Sequence, residues 1–566
     1  MFDYEEKINE LFDSGIATQV DHDSSYFKLP IEYIEHGEIN AIVKTDLEMQ
    51  SDNNIYKYLV NDSILVDKWS AFYTSDKPFL KDTQMHLKKY TQTTSYDTMF
   101  IEYKKFKEET NFIDKYQYIS LKYFKPFNDS SVFLQCLGLF NLASPVLSLL
   151  SPLFILIVPF IILKMRGIPI TISLYITFLT GLIKKNGFYN MITNFNSIPA
   201  QQKMSTLVSL FFYMFQVYSN VMSCITFYRN TTSISNFLES YKKQLLISIN
   251  LMTKVQISIS SYKSYKPFYD EIEVHKDKMI QLLDRFSILL PYTNTIAKLS
   301  QLGILMSLYY DIYFNETYHA TFMYSIYLNQ YDKDIMNLSL KIKEKKMNKC
   351  KFRQVTSMKN MYYLPHLNNS PIKNDISLDK NLLITGPNAS GKTTTLKAVL
   401  INVLLSQQFG YGCYSSAKIK VYDIFHSYLN IPDTSGRDSL FQAEARRCKD
   451  ILECITENLD KSHLCIFDEI YSGTNPNDAV LCANLYLKGM NHYKKTKNVD
   501  YMLTTHYIQL CENFNKEPLI QNLKMDVEVT DDKINYLYTI NTGISYIHGG
   551  KHILKEMKYP EYLFQL

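Results

Sequence analysis

An α/β C-terminal domain, preceded by a mainly α-helical region with a hydrophobic hairpin, is the architecture this sequence predicts. Three observations carry it. The apolar run Leu382-Leu383-Ile384-Thr385 leads into a loop with glycines and then a helical pattern from Thr394. Residues 190–345 read as mostly helical, with long stretches lacking Gly. Ser130 to Leu163 is 34 residues without a charge.

Composition bounds the rest. At about 100–200 residues per domain, 566 residues hold three or four domains. With 46% hydrophobic and 20% charged residues, the chain can bury large cores, which excludes disorder. Lys and Arg number 60 against 56 Asp and Glu, a formal charge of +4. That excludes an all-over basic nucleic-acid coat, though not a local basic patch. Only seven of the bases are Arg, so an Arg is more informative here than a Lys. Nine Cys are scattered singly, without a CxxC pair or zinc spacing. This argues against a disulfide scaffold and a structural zinc, and for an intracellular, reducing compartment. The acidic start Met1-Phe2-Asp3-Tyr4-Glu5-Glu6 does not read as a secretory signal.

In chain order, residues 1–129 form a mixed, polar N-terminal region without a motif. Phe106-Lys107-Glu108 is a Phe-x-Glu triplet in a charged run and reads as chance. Residues 130–185 are hydrophobic. Their apolar core, Val146–Leu163, is closed by Lys164 and Arg166. Gly167–Ile183 is a further 17 uncharged residues, closed by Lys184 and Lys185. Spanning a bilayer takes about 20 apolar residues, so the pattern suits a two-span transmembrane hairpin. A pair of buried core helices is the alternative. Basic residues at both the turn and the exit leave orientation open. Pro145, Pro152 and Pro159 are expected to kink a helix.

Residues 186–353 read as a helical region, with extended helices over Ser233–Ile259 and Glu271–Leu290. Lys242, Lys243, Lys254, Lys263 and Lys266 read as solvated helix faces rather than phosphate contacts. The basic run Lys341–Arg353 reads as a linker into the last domain, residues 354–566.

That domain carries the chemistry. Gly386-Pro387-Asn388-Ala389-Ser390-Gly391-Lys392-Thr393, followed by Thr394, matches G-x-x-x-x-G-K-[ST] between a strand and a helix. This context predicts an ABC-like P-loop NTPase fold. Loop amides and the helix N-terminus bind phosphates, Lys392 neutralises them, and the Thr393 hydroxyl ligates Mg²⁺. His463-Leu464-Cys465-Ile466-Phe467-Asp468-Glu469 is an apolar strand ending in two acids, the Walker B pattern. Asp468 is expected to hold the magnesium through water, and Glu469 to act as general base. Tyr501–His506 is a strand ending in a His. The His506 imidazole is placed to sense the γ-phosphate or the attacking water. Ser439 heads a helix with Glu444 behind it, an anion site at a helix N-terminus. It makes sense as a group offered to the nucleotide of a second subunit. Arg437, Arg446 and Arg447 fall in the same segment and fit a phosphate-facing or interface role.

These residues resemble the MutS family of DNA mismatch-repair ATPases. The resemblance rests on Leu383–Asn388, Gly391-Lys392-Thr393, Ser439-Leu440-Phe441, Asp468-Glu469-Ile470, Gly473-Thr474 and Thr505-His506-Tyr507, across about residues 360–560. It implies ATP with Mg²⁺, a homodimer with composite sites in which Ser439 acts across the interface, and mismatched or branched DNA as partner. It also implies an interface loop at Gly473, Thr474 and Asp478, where Asn475 stands in place of the family's frequent Ser. Ile372 is the apolar candidate to pack on adenine, and Tyr538 the aromatic one for the other face. Three features depart from the family. The region before the ATPase is short for a mismatch reader. The chain ends about 20 residues after Ser545, which leaves the helical dimerisation extension short. Hydrophobic spans are foreign to mismatch readers and resemble a MutS-related branch with membrane segments. The sequence therefore predicts a dimeric, DNA-binding MutS-like ATPase. The alternative is a membrane-tethered MutS-related mechanochemical ATPase that does not recognise mismatches.

Overall fold

The computed structural model describes residues 24–50, 53–61, 63–91, 99–165, 167, 171–185, 199–289, 299–429, 439–495, 498–530 and 533–547, with 554, 557, 559 and 560. The principal helices are α1 (Ser131–Met165), α2 (Ile172–Lys185), α3 (Ala200–Ile259), α4 (Lys266–Phe286), α5 (Leu302–Phe314), α6 (Glu316–Lys343), α7 (Lys392–Phe409), α8 (Leu440–Glu457) and α9 (Pro476–Lys495). The strands of the main sheet are β1 (Asn381–Thr385), β2 (Ile424–Tyr428), β3 (His463–Asp468), β4 (Val499–Thr505), β5 (Ile520–Thr530) and β6 (Lys533–Thr542).

The chain divides into two compact units that do not follow the boundaries read at 129, 185 and 353. One comprises residues 1–96, 250–276 and 323–566; the other comprises 97–249 and 277–322.

In the first unit the six strands lie in the order β6-β5-β1-β4-β3-β2. β1 to β5 run parallel, and β6 returns antiparallel to β5. Every residue of β1 and β4 is buried. Parallel strands covered on both faces need such continuous apolar runs. Leu383, Phe467 and Leu503 pack with Ile451 and Ile455 of α8 and with Leu487 and Met490 of α9. A second sheet of five short strands includes Asn348–Phe352. The run Lys341–Arg353 is thus no linker but the end of α6 and a strand. Met347 and Cys350 are buried in the core, and Lys341 and Lys343 donate to the carbonyls of Leu59 and Tyr90 at 2.8 Å.

The polar N-terminal stretch belongs to this unit as far as residue 96, and residues 97–129 belong to the second. The buried Gln408 of α7 donates to the carbonyls of Trp69 (3.1 Å) and Phe72 (2.7 Å) and accepts from the Tyr56 hydroxyl (2.6 Å). The buried Asp46 accepts from Ser427 Oγ (2.5 Å) and Leu429 N (3.2 Å) on and after β2. Buried amides and carboxylates are tolerated because each finds a partner.

The second unit is helical. α5 is buried along nearly its whole length. Phe106 is 7% exposed, with its ring 4.4 Å from Phe237 and 4.9 Å from Tyr309. It is a core residue with no free face. α1 runs through Pro145, Pro152 and Pro159 as a single helix. Between Ser131 and Leu150 only Leu134 and Gly138 are buried, so this segment is not a core helix. α3 starts at Ala200, well ahead of the expected Ser233, because no Gly or Pro interrupts the chain between Ala200 and Ile259. α4 likewise starts at Lys266 and ends at Phe286, a few residues earlier than its pattern predicted.

Candidate functional site

The site forms where the central strands end. Register places Thr385 opposite Thr505, and Asp468 opposite Thr504. The residues that follow each strand, Gly386, Glu469 and His506, therefore emerge side by side along one edge of the sheet. Ligands of parallel α/β sheets bind at this carboxyl edge.

The loop 386–391 links β1 to α7. Gly391 has φ 92°, a left-handed conformation that favours glycine, and a Cβ there would lie 3.1 Å from the Tyr538 ring. Ala389 also has positive φ, at 61°. The loop thus turns its backbone inward ahead of the first turn of α7. Lys392 is buried and donates to the carbonyls of Gly386 (3.1 Å) and Pro387 (3.2 Å). Burial pushes its pKa down, opposed by the charges of Glu469 and Asp468. Ser390 Oγ is buried without a hydrogen-bond partner. A buried, unpaired hydroxyl is costly unless a ligand takes it up.

Thr393 Oγ1 donates to Asp468 Oδ2 at 2.6 Å, and Thr504 Oγ1 donates to the other carboxylate oxygen. A hydroxyl and a carboxylate converging on one point are hard oxygen donors, the set that suits Mg²⁺. Glu469 lies 2.8 Å from His506 Nε2 and 3.9 Å from Lys392 Nζ. The hydrogen bond from His506 holds the Glu469 carboxyl below its ordinary range despite partial burial, with the charges of His506 and Lys392 adding to it. Glu469 and Tyr471 both have positive φ, at 52° and 59°. Strain of this kind collects at functional positions.

A cavity of about 530 Å³ is lined by Asn388 to Thr395, Glu469, Ile372 and Tyr538. Ile372 and Tyr538, far apart in sequence, thus face one space. Asn374 joins them: its Nδ2 donates to the Tyr538 carbonyl at 2.9 Å, and its Oδ1 accepts from Ile540 N at 2.9 Å. Tyr363 and His366 also line the cavity, and sequence reasoning missed them. In a chain with 45 Tyr, one more carries no signal. An adjoining cavity of about 600 Å³ reaches from Thr393 and Lys397 to Glu48 and Lys57 of the N-terminal stretch.

Ser439 does not line this cavity. It caps α8: its Oγ accepts from Gln442 N at 3.3 Å, and Gln442 Oε1 accepts from Ser439 N at 2.9 Å. Glu444 is buried and accepts from Ser472 N (3.0 Å), Ser472 Oγ (2.7 Å) and Gly473 N (3.0 Å). It ties α8 to the segment after Glu469. A Cβ on Gly473 would sit 2.7 Å from Phe441 N, so only glycine fits this approach. Asn475 caps α9 through Asp478 N at 3.0 Å. Of the three arginines, Arg437 lies outside the described residues. Arg447 donates inward to the Ser427 carbonyl at 2.8 Å, which corrects its reading as a phosphate-facing group. Arg446 is exposed.

Residues 382–565 match the family described as MutS domain V. This region is similar to MutS domain V. The DNA mismatch repair protein MutS of Phocaeicola vulgatus is 29% identical over 195 residues, 34% of this chain and 22% of that protein. The MutS of Acholeplasma laidlawii is 30% identical over 177 residues, 31% of this chain and 20% of that protein. The MutS of Finegoldia magna is 31% identical over 172 residues, 30% and 19% of the two chains. The chain thus spans about a fifth of the length of these curated relatives. The match begins within β1, so the glycine-rich loop, Asp468, Glu469 and His506 all fall inside the matched region.

Proposed function

We propose that the matched region binds ATP in the cavity beside loop 386–391 and hydrolyses it with Mg²⁺, as part of a function related to DNA mismatch repair. The observation that carries this reading is the convergence of Lys392, Thr393, Asp468, Glu469 and His506 at one strand edge. The loop is read as a P-loop. Its amides and the α7 N-terminus take the phosphates, and Lys392 exchanges its loop carbonyls for phosphate oxygens. Ile372 and Tyr538 take the two faces of the adenine. Thr393 and Asp468 would hold magnesium, which supplies charge neutralisation at the phosphates. Glu469 is ionised and takes the proton of the attacking water. His506 holds that carboxylate in place through Nε2. Ser439, absent from its own subunit's cavity, is offered to the site of a second subunit in a homodimer.

DNA is the partner that the MutS relatives favour. ATP binding would close the dimer, and hydrolysis would reopen it; a partner is driven only if it binds the two states differently. The test is the ATPase rate of the purified protein with homoduplex, mismatched and branched DNA across a salt series. Stimulation that weakens with salt is expected. An unchanged rate and no salt-dependent binding would remove DNA from the reading. A second reading, a membrane-tethered ATPase that does not recognise mismatches, is favoured by the charge-free runs Ser131–Leu163 of α1 and Met204–Tyr228 of α3.

A further inference from the structure

We propose that α1 and the first half of α3 form an antiparallel pair inserted in a lipid bilayer, with Met204–Tyr228 as a lipid-facing segment beside the 130–185 hairpin. This deepens the membrane-tethered reading and does not depend on the nucleotide site.

The first argument is charge. Ser131–Leu163 and Met204–Tyr228 contain no Asp, Glu, Lys or Arg. Cys224 Sγ donates to the Leu142 carbonyl at 3.6 Å, and Tyr213 OH to the Ser148 carbonyl at 3.3 Å. The helices therefore run antiparallel, and the charges that bound them fall at common ends. Lys164 and Lys203 lie at one end, Asp129 and Arg229 at the other. At 1.5 Å per residue, Met204–Tyr228 is about 37 Å long, enough to cross a hydrocarbon core of about 30 Å.

The second argument is exposure. No described side chain from Lys203 to Thr226 is buried. Phe211, Phe212 and Phe215 are 66%, 63% and 59% exposed. Within the same unit, the apolar helix α5 buries almost every residue, so apolar content alone does not explain the outward faces. At about 100° per residue, Phe211, Phe212, Met214 and Phe215 span about 160° of the circumference, wider than the roughly 100° stripe a soluble helix buries against a partner. A second copy docked on one face would leave the rest in water; lipid covers all of it.

The third argument is polar satisfaction. Hydroxyls along the pair bond back to carbonyls of their own helix: Ser144 to Asn141 at 3.0 Å, Ser148 to Pro145 at 2.8 Å and Ser209 to Ser205 at 2.9 Å. In hydrocarbon, polar groups must be satisfied this way, because no water is present.

The test is flotation of the full-length protein, expressed with membranes, washed with alkaline carbonate and then mixed with phosphatidylcholine vesicles on a density gradient. The wild type should resist the wash, float with the vesicles and leave them only in detergent. Aggregated protein would sediment instead, and that outcome overturns the proposal. The double variant Phe211→Lys/Phe215→Lys should lose at least about ten-fold of the floating fraction. Lys392→Ala should float like the wild type whatever its turnover, which separates failure of the nucleotide reading from failure of this one. Release of the wild type by carbonate into a detergent-free solution would contradict the proposal. So would a soluble wild-type dimer that the double variant dissociates, since that would assign the faces to a second copy.

Discussion

Leu383, Phe467 and Leu503 in the region similar to MutS domain V are fully buried, and the residues just beyond their strands are Gly386, Glu469 and His506. In the helical unit, Phe211, Phe212 and Phe215 point outward, and Ser131–Leu163 and Met204–Tyr228 carry no charge between the charged residues that bound them. The first unit and the outer helices of the second, α1 and the first half of α3, place apolar residues by opposite rules. The first follows the logic of a water-soluble core, in which apolar strands carry polar chemistry to one edge. The second has a core around α5 and Phe237 of α3, but α1 and the first half of α3 bury almost no described side chain. The difference teaches that, on the proposals above, one chain would supply chemistry and anchorage from separate folding environments. Changes at the strand edge should therefore alter turnover and leave flotation alone, and changes on the outer helix faces should do the reverse.

The largest effect that would sharpen this contrast is expected from Glu469→Gln. Removing the general base should lower ATP turnover by about 10²–10⁴-fold, measured as phosphate release, with nucleotide binding and flotation retained. An unaltered rate would break the assignment. Ser439→Ala should follow, with a loss of about 10²-fold, the scale for one donor to a developing anion. Since Ser439 also caps α8, Ser439→Asn is the control. Asn keeps the cap, so its turnover should fall too, whereas recovery would make the role merely structural.

Gly473→Ala acts on stability. Its Cβ would meet Phe441 N and the Leu440 side chain, and overpacking of this kind costs about 1–3 kcal/mol. A lowered midpoint in thermal unfolding of the first unit is the readout. The smallest effect concerns pH. The hydrogen bond from His506 is the leading cause that lowers the Glu469 pKa. A lowered pKa keeps the carboxylate ionised to lower pH. His506→Ala should therefore move the acid limb of the turnover profile to higher pH. A limb that stays in place would show that His506 does not set the base.

Much of the strand edge was legible because its motifs are local. Strand, loop and helix around Lys392 follow one another in sequence, as do β3 and its two acids. The pairing of Ile372 with Tyr538 came from resemblance; the device that joins them, Asn374, bonds across 164 residues to Tyr538 and leaves no periodic trace. The N-terminal stretch was opaque for the same reason. Gln408 and Trp69 meet 339 residues apart, and short helices such as Val66–Trp69 are too brief to show an apolar face. The hairpin at 130–185 was legible from its missing charges. Met204–Tyr228 was not, because Ser, Gln and Asn dilute its hydrophobicity. Its exposure became evident only against the buried α5. Arg447 misled because rarity marked it as functional, while its bond to the Ser427 carbonyl is architectural.

The central claim is that Lys392 and its loop bind and turn over ATP. The most direct measurement is steady-state phosphate release by detergent-purified full-length protein with magnesium and ATP, wild type beside Lys392→Ala. The account predicts clear turnover in the wild type and a loss of about 100-fold or more in the variant, with both proteins equally folded. Equal turnover in the two would contradict it.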